Sequence, residues 1–342
     1  MKGRRVVLDH INGQEAAALL VDGQLDDFLI DDPDRPRPGT IYRAICDRPM
    51  KGQGGMTVRL PDGGSGFLRQ VKGLSPGQPL LVQVTGYVED GKAVPLTPKI
   101  LFKSRYAIAT PDAPGLNVSR RIREEEEQVR LKDIAHDLVP DGMGLILRSA
   151  CEGASEEDIA EDITAMLSLA DAVAADAEGR EPLSLIDGDS PHTLAWREWE
   201  GVQDVVTEPG GFEREGVLDA LETLTAGVVP LGAGDMAVQP TRALVAVDVD
   251  TGGDTSPAAG LKANIAAAKA LPRTLRVLGL GGQITVDFAP MSKANRKQVE
   301  TSLRAAFRSD PIETALVGWT PLGHYELQRK RERAPLARVW RP

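Results

Sequence analysis

The sequence predicts a multidomain protein of mixed α+β and α/β class. Its 342 residues exceed what one small hydrophobic core needs and suffice for two or three compact units. Between residues 40 and 97, short apolar runs alternate with Gly, Pro and Asp, a pattern typical of a small β-barrel. From residue 243 to residue 308, the order strand, helix, strand, helix is typical of an α/β layer.

Three strands and a linker are predicted at the start of the chain. Segments 5–9, 15–21 and 28–30 are apolar or alternating, and Asp22-Gly23 is a turn signal between the last two. The charged, proline-rich stretch 31–39 predicts the linker. Asp9 and His10 interrupt the first apolar run too early for a signal peptide, and no run approaches the ~20 residues that span a bilayer. We therefore expect a cytoplasmic protein.

The barrel is predicted from five short strands, at 41–45, 56–60, 66–68, 80–88 and 93–96. Such barrels often bind single-stranded nucleic acid, but they also serve other roles. Helical patterning follows at 119–137, with a short strand at 144–147. Ser155 is the expected N-cap of the next helix, because Asp158 stands at its third position and periodic apolar residues follow. Another helix is predicted at 217–224.

Carboxylates end the two apolar strands of the α/β layer. Asp248 closes the first strand, Asp250 follows two residues later on the same expected face, and Asp287 closes the second. Neighbouring carboxylates repel one another unless a cation neutralises them. Mg²⁺ takes oxygen ligands and binds through one or two carboxylates plus phosphate. Acids at strand ends also cap loops or form salt bridges, so spacing alone leaves both interpretations open.

Segments 241–251 and 281–288 resemble the two metal-binding motifs of the ribonuclease E/G family. In that family the first motif is an apolar strand followed by Asp, an apolar residue and Asn. The helix around 264–267 and the segment 321–331 are similar and stand in the same order. The resemblance implies that Asp248 and Asp287 bind Mg²⁺, for which Mn²⁺ can substitute. It also implies that Asp250 positions metal, water or phosphate.

Segments 117–122 and 142–149 resemble the family's 5′-end-sensing region. Arg148 and Ser149 stand where an Arg and a hydroxyl residue, usually Thr, bind a 5′-monophosphate. A guanidinium and a hydroxyl suit a terminal phosphate, but a strand-end Arg in a salt bridge is the alternative. The barrel resembles an S1 domain, with Phe67 at the position of an RNA-stacking aromatic and Lys92 at that of an RNA-contacting lysine. Phe67 could equally belong to the barrel core.

The resemblance covers nearly the full chain and implies a domain layout. An RNase H-like subdomain of structural role would comprise residues 1–38 and about 179–226. An S1-like β-barrel would occupy 39–104 and a 5′-sensor region 105–178. A DNase I-like α/β catalytic subdomain would occupy 227–342.

The distribution of charge matters more than its sum. A net charge of −10 argues against a protein that coats nucleic acid nonspecifically. Past Phe288 the chain is nevertheless net positive. Without other information this is a solvated helix face. With the resemblance it becomes a candidate RNA-contacting face, for which the candidates are Arg329, Lys330 and Arg331.

Three departures from the family pattern stand out. The position of the family's second stacking aromatic falls near Met56 or Val58, so the barrel surface is depleted for stacking. Asp250 stands where the family usually has Asn. Its Cys-x-x-Cys zinc link, which joins protomers, has no counterpart among these residues. Cys46 and Cys151 are far apart and lack partners at metal-ligand spacing, which favours reduced thiols. We therefore expect no zinc, and a monomer or dimer rather than the family's tetramer.

The function implied by the resemblance is hydrolysis of single-stranded RNA by a Mg²⁺-dependent endoribonuclease. The downstream product would carry a 5′-phosphate, and the role would lie in RNA processing or decay. An RNA-binding or regulatory protein that has lost cleavage is the first alternative, because of Asp250 and the depleted barrel surface. A metal phosphohydrolase acting on DNA or a smaller substrate is the second.

Overall fold

The computed structural model describes residues 3–50, 52 and 54–340. Its strands are β1 (Arg4–Ile11), β2 (Gln14–Val21), β3 (Gln24–Ile30), β4 (Ile41–Met50), β5 (Gly55–Arg59), β6 (Ser65–Arg69), β7 (Pro79–Val84), β8 (Val94–Thr97), β9 (Phe102–Lys103), β10 (Ala107–Thr110), β11 (Gly115–Val118), β12 (Gly144–Leu147), β13 (Leu183–Ile186), β14 (Asp204–Val206), β15 (Val228–Pro230), β16 (Asp235–Pro240), β17 (Val245–Asp250), β18 (Gly282–Asp287), β19 (Thr314–Trp319) and β20 (Tyr325–Arg329).

Its helices are α1 (Glu125–His136), α2 (Glu156–Ala175), α3 (Pro191–Glu198), α4 (Gly211–Arg214), α5 (Val217–Thr225), α6 (Ala259–Val277), α7 (Lys293–Arg308) and α8 (Leu336–Val339). Within the described ranges, none of them combines the length and apolar character needed to span a bilayer. The chain divides into two compact units. The first comprises residues 1–33 and 201–342, and the second comprises residues 34–200.

A four-stranded sheet of order β14-β1-β2-β3 opens the first unit. The first three strands form an antiparallel meander, and β14 pairs parallel with β1. The turns of the meander contain Asn12-Gly13 and Asp22-Gly23. All four residues have positive φ, between 50° and 81°, which matches the right-handed twist of the flanking strands.

The second sheet of this unit has six strands in the order β15-β16-β17-β18-β20-β19. Strands β17 and β18 are parallel and α6 connects them, so the predicted strand–helix–strand order is confirmed. One face of β17 is buried through Val245, Val247 and Val249. Helix α6 packs against β16, β17 and β3, and α7 packs on α6. This leaves the alternate side chains of β17 and β18 on the opposite, exposed face.

The β-barrel lies in the second unit and is closed. Its strands follow the order β4-β5-β6-β8-β7, and a further pairing of β4 with β7 completes the ring. Its core is apolar and includes Ala44, Cys46, Val58, Leu68 and Val82. The prediction of a small five-stranded barrel is therefore confirmed.

A four-stranded sheet of order β11-β12-β10-β9 completes the second unit together with α1 and α2. Its core contains Leu131 of α1, Leu145 of β12 and Ile163 of α2. Ser155 caps α2 as expected, because its hydroxyl accepts a hydrogen bond of 3.1 Å from the backbone N–H of Asp158.

The segment 179–200, which the expected layout assigned to the RNase H-like subdomain, lies in the second unit. Strand β13 pairs antiparallel with β4, and the chain up to Glu200 belongs to the second unit. Arg43 of β4 fixes this path by donating hydrogen bonds to the carbonyls of Asp176, Glu178 and Glu181. The part that returns to the first sheet is β14, so the boundary falls near residue 201.

Candidate active site

The register of two parallel strands brings the predicted metal ligands together. Asp248 of β17 stands directly beside Asp287 of β18, and adjacent strands lie about 4.8 Å apart. Both side chains are on the exposed face, because their neighbours Val247, Val249 and Val286 point into the core. The sequence places both acids at strand ends, and the fold makes the two strands adjacent.

Asp250 shares the exposed face with Asp248, as predicted. Its Oδ1 accepts a hydrogen bond of 2.6 Å from the backbone N–H of Gly252, which fixes the turn after β17. The amide oxygen of an Asn could accept the same bond, so this turn does not itself require the extra charge of Asp250. Across the antiparallel pairing, Asp250 faces Asp235 of β16. Sequence reasoning missed Asp235, since only the register shows its proximity.

A histidine and a cavity adjoin Asp287. His324 Nε2 lies 3.8 Å from Asp287 Oδ2, and both side chains are partly exposed. Sequence reasoning included the segment around His324 but did not single it out. His324 also lines a cavity of about 680 Å³, together with Val317, Trp319, Leu322 and Glu326 among others. Val317 and Leu322 are 65% and 87% exposed, so this cavity offers apolar surface beside the carboxylates.

The residues at this sheet face fit a magnesium site better than a structural zinc site. No three His, Cys, Asp or Glu side chains converge on a common point in the described part of the chain, so a complete protein-only coordination sphere is absent there. The side chain of Asp248 makes no hydrogen bond or ion pair with any described residue. Two adjacent, exposed carboxylates suit Mg²⁺, which retains waters and accepts phosphate oxygens as further ligands. They do not suit the four-ligand structural zinc site.

Arg148 and Ser149 are engaged by carboxylates. Arg148 Nη2 lies 2.5 Å from Glu198 Oε2, and its Nη1 donates to the carbonyl of Ser104 at 2.5 Å. The hydroxyl of Ser149 donates to Glu200 Oε1 at 2.8 Å. Burial opposes the ionisation of Glu198, but Arg197 and Arg148 outweigh it and lower the pKa of Glu198. The geometry is therefore that of the alternative raised by the sequence, a strand-end arginine in a salt bridge.

Comparison with known proteins is decisive for the family. The sequence pattern of the "Ribonuclease E/G family" matches residues 102–208 and 200–332. This chain belongs to the ribonuclease E/G family. It is 30% identical over 302 residues to ribonuclease E of Nostoc sp., covering 76% of this chain and 44% of that protein. It is 29% identical over 307 residues to ribonuclease G of Salmonella typhimurium, covering 77% and 62%.

A second ribonuclease E, from Synechocystis sp., is 30% identical over 321 residues, which cover 80% of this chain and 48% of that relative. The chain thus spans about half the length of these ribonuclease E relatives and about three-fifths of ribonuclease G. The mixed α and β architecture with a closed barrel is consistent with the multidomain fold of the ribonuclease E/G family.

The barrel residues singled out by the family resemblance lie on its outside. Phe67 of β6 is half-buried and stands between Gly66 and Leu68, which face the barrel core. Its ring covers Gly55, where a Cβ would lie 2.6 Å from Phe67 Cζ. Lys92 is exposed and its Nζ lies 2.8 Å from Glu89 Oε1. Phe67 is thus an outer-face residue rather than part of the barrel core.

The depleted stacking surface of the barrel is also explained. Met56 and Val58 are 4% and 1% exposed and belong to the barrel core. Their side chains are apolar and face inward, so neither offers a surface on which an RNA base could stack. Phe67 is left as the aromatic candidate that the sequence named on this barrel.

The basic residues near the C-terminus have different environments. Arg329 is 1% exposed, pairs with Asp310 at 3.1 Å and donates to Thr314 Oγ1 at 2.8 Å. The prediction that Arg329 contacts RNA is wrong for this structure, because β20 turns that side chain into the core. Lys330 is 55% exposed and lies 2.5 Å from Glu313 Oε2. Arg331 is half-buried, with its guanidinium against Gly282.

Proposed function

We propose that this chain is a Mg²⁺-dependent endoribonuclease that hydrolyses single-stranded RNA and leaves a 5′-phosphate on the downstream product. The supporting observation is the register that sets Asp248 beside Asp287 on an exposed sheet face. Two neighbouring carboxylates in water repel one another, and a divalent cation relieves that repulsion. The named relatives, ribonuclease E and ribonuclease G, support RNA as the substrate.

The residues of the chain have separate roles in this proposal. Asp248 and Asp287 hold the cation, with water and an RNA phosphate as its further ligands. Mg²⁺ bound there supplies Lewis acidity, orients the attacking water and stabilises charge on the scissile phosphate. Asp250 shapes the turn after β17 through its bond to Gly252. His324 lies close enough to Asp287 to hold its carboxylate in place.

The RNA-contacting residues are proposed within each unit separately. In the first unit, the cavity beside His324 takes the base of a nucleotide next to the scissile phosphate, against Leu322 and Val317. Lys330 supplies an exposed ammonium group, and Arg331 supplies a half-buried guanidinium. On the barrel, the outward-facing Phe67 stacks a base. Lys92 adds a cation there.

The wider setting belongs to the same proposal. We place the protein in the cytoplasm, acting in RNA processing or decay as a monomer or dimer. Mn²⁺ is expected to replace Mg²⁺ in activity, because both accept carboxylate oxygens. Zinc is not expected to contribute, since the two cysteines are far apart in sequence and buried.

The function is tested with the purified chain and a 3′-labelled single-stranded RNA. We expect cleavage in Mg²⁺ and none in EDTA, with downstream products that carry a ligatable 5′-phosphate. Asp248→Asn should slow single-turnover cleavage by about 10³-fold or more, because metal-assisted charge stabilisation contributes several kcal/mol. Asp219→Asn removes the same charge from an exposed site on α5 and should leave the rate unchanged.

Three outcomes would contradict the proposal. Equal cleavage rates for the wild type and Asp248→Asn would show that Asp248 does not contribute to catalysis. RNA binding by the wild type without cleavage at any Mg²⁺ concentration would establish the RNA-binding alternative, which Asp250 in place of the family's Asn favours. Competition by single-stranded DNA as effective as that by RNA would favour a phosphohydrolase of broader substrate range.

A further inference from the structure

The two groups that would bind an RNA 5′-phosphate already bind carboxylates of this chain. Arg148 pairs with Glu198 at 2.5 Å, and Ser149 donates to Glu200 at 2.8 Å. Both glutamates come from the end of α3 and the residues directly after it. A carboxylate offers the same kind of acceptor oxygen as a phosphate, so each glutamate uses the donor that a 5′-phosphate would need.

The carboxylates around Arg148 and Ser149 disfavour the binding of another anion. Glu198 also bonds Arg197 Nε at 2.7 Å, and Arg197 forms a second ion pair with Asp189. The cluster therefore combines two guanidiniums with three carboxylates, since Glu200 adjoins it through Ser149. A terminal phosphate would add a charge of about −1.5 to −2. It would meet carboxylates that already pair with these donors unless the glutamates withdrew.

The carboxylates are held in place by the segment that carries them. Trp199 lies between the two glutamates and is only 5% exposed. Its backbone N–H donates to the carbonyl of Ala195 at 3.1 Å. The guanidinium of Arg105 lies 5.1 Å from the ring centroid of Trp196 and also bonds the carbonyl of Trp196. Withdrawal of the glutamates would therefore disturb a packed segment as well as two side-chain rotamers.

We propose that Glu198 and Glu200 are internal anionic occupants of the Arg148 and Ser149 site, so that this chain binds and cleaves RNA without regard to a 5′-monophosphate. The inference rests on the proposed ribonuclease function. It assigns Glu198 and Glu200 as specificity-determining residues for the 5′ end of the substrate. A 5′-hydroxyl RNA and a 5′-phosphorylated RNA are then equivalent substrates.

The test compares two RNAs of one sequence, 3′-labelled with fluorescein, that differ only in a 5′-phosphate or 5′-hydroxyl. Binding is measured by fluorescence anisotropy in EDTA, and single-turnover cleavage is measured in Mg²⁺. The wild type should show Kd values for the two RNAs within about twofold of each other. The double variant Glu198→Gln/Glu200→Gln should bind the 5′-phosphorylated RNA about tenfold more tightly, since charge-assisted bonds become available to it.

Matched variants control for charge and for folding. Glu157→Gln/Glu161→Gln removes two charges from exposed positions of α2 in the same unit and should behave as the wild type. Addition of Arg148→Ala to the double variant should abolish its gain. Thermal unfolding followed by circular dichroism checks each protein. If the double variant does not fold, Glu200→Ala alone removes only the acceptor of the Ser149 hydroxyl, and its expected gain is about threefold.

The possible failures are distinguishable. A tenfold wild-type preference for 5′-phosphorylated RNA would overturn the inference while leaving the ribonuclease function intact, and so would a folded double variant with an unchanged Kd ratio. A wild type that binds and cleaves neither RNA would overturn the proposed function, and the inference would fall with it.

Discussion

Carboxylates have opposite environments in the two units of this protein. Asp248 is exposed and has no partner among the described residues, whereas Glu198 bonds two guanidiniums. Asp287 resembles Asp248 in being exposed, and its carboxylate Oδ2 lies 3.8 Å from Nε2 of His324. The comparison teaches that a match to a motif does not by itself identify a binding group. The chain leaves the charge of Asp248 uncompensated, whereas it neutralises the charge of Glu198.

A third set of charges, within the unit of residues 1–33 and 201–342, belongs to the fold. The Asp310 side chain has no exposed surface and pairs with Arg276 at 2.6 Å and Arg329 at 3.1 Å. Arg276 also pairs with Asp26 at 2.9 Å. Part of the positive charge that the sequence shows past Phe288 is therefore used to neutralise buried acids.

The largest expected effect is on the cleavage rate, and it distinguishes the exposed Asp248 and Asp287 from the ion-paired Glu198. Asp287→Asn should slow RNA cleavage by about 10³-fold or more, because it removes one of two protein ligands of the metal. Glu198→Gln should leave cleavage of 5′-hydroxyl RNA within about threefold of wild type. Single-turnover rates measure both. If Glu198→Gln slowed cleavage as much as Asp287→Asn, the ion pairs of Glu198 would belong to the catalytic machinery.

The next effect concerns stability and contrasts two aspartates of the same unit. Asp310→Ala should lower the free energy of unfolding by about 3–5 kcal/mol, because it leaves the buried guanidiniums of Arg276 and Arg329 uncompensated. Asp248→Ala should change it by less than about 0.5 kcal/mol, since that side chain is exposed and unpartnered. Urea unfolding measures both. Equal midpoints for the two variants would contradict the assignment of Asp310 to the fold.

An acid-dependent effect is expected where carboxylates are already paired. Arg130 and the backbone N–H of Gly153 lower the pKa of Glu127 from 4.5 to about 2. A lowered folded-state pKa stabilises the protein above the unfolded-state value, and that contribution disappears as the pH falls through the folded-state pKa. Urea midpoints of wild type and Glu127→Gln should thus differ at pH 7 and converge between about pH 4.5 and 2. A difference that stays constant down to pH 2 would argue against this pairing.

The smallest expected effect tests the cavity that adjoins His324 and Asp287. Leu322→Ser should raise the KM for single-stranded RNA about threefold with little change in kcat, because it removes apolar contact from a base. Val228→Ser is the matched control, since Val228 is 49% exposed in the same unit but does not line the cavity. Equal KM values for both variants would remove the cavity from substrate binding.

Local patterns predicted much of this molecule. The barrel strands follow from short apolar runs between turn residues, and the cap at Ser155 follows from residue type and spacing. The shared face of Asp248 and Asp250 follows from the two-residue period of a strand. These features depend on neighbours in sequence, so the sequence is enough to predict them.

Features that depend on distant partners were not predictable. Helix α6 lies where the sequence predicts the helix between the two strands of the α/β layer, but it continues through Pro272 to Val277, although a proline disfavours a helix interior. Burial of Leu271, Leu275 and Val277 accompanies this extension and offsets the lost hydrogen bond. The burial of Arg329 and the proximity of Asp235 to Asp250 likewise depend on strand register. Register becomes visible only in the fold.

The central claim is that Asp248 and Asp287 together hold a divalent cation. Mn²⁺ bound to the protein can be counted by electron paramagnetic resonance in the presence of a non-cleavable single-stranded oligonucleotide. The wild type should bind one Mn²⁺ that Mg²⁺ displaces, and the folded Asp248→Asn/Asp287→Asn variant should lose it. Retention of that Mn²⁺ with unchanged affinity in the variant would contradict the account.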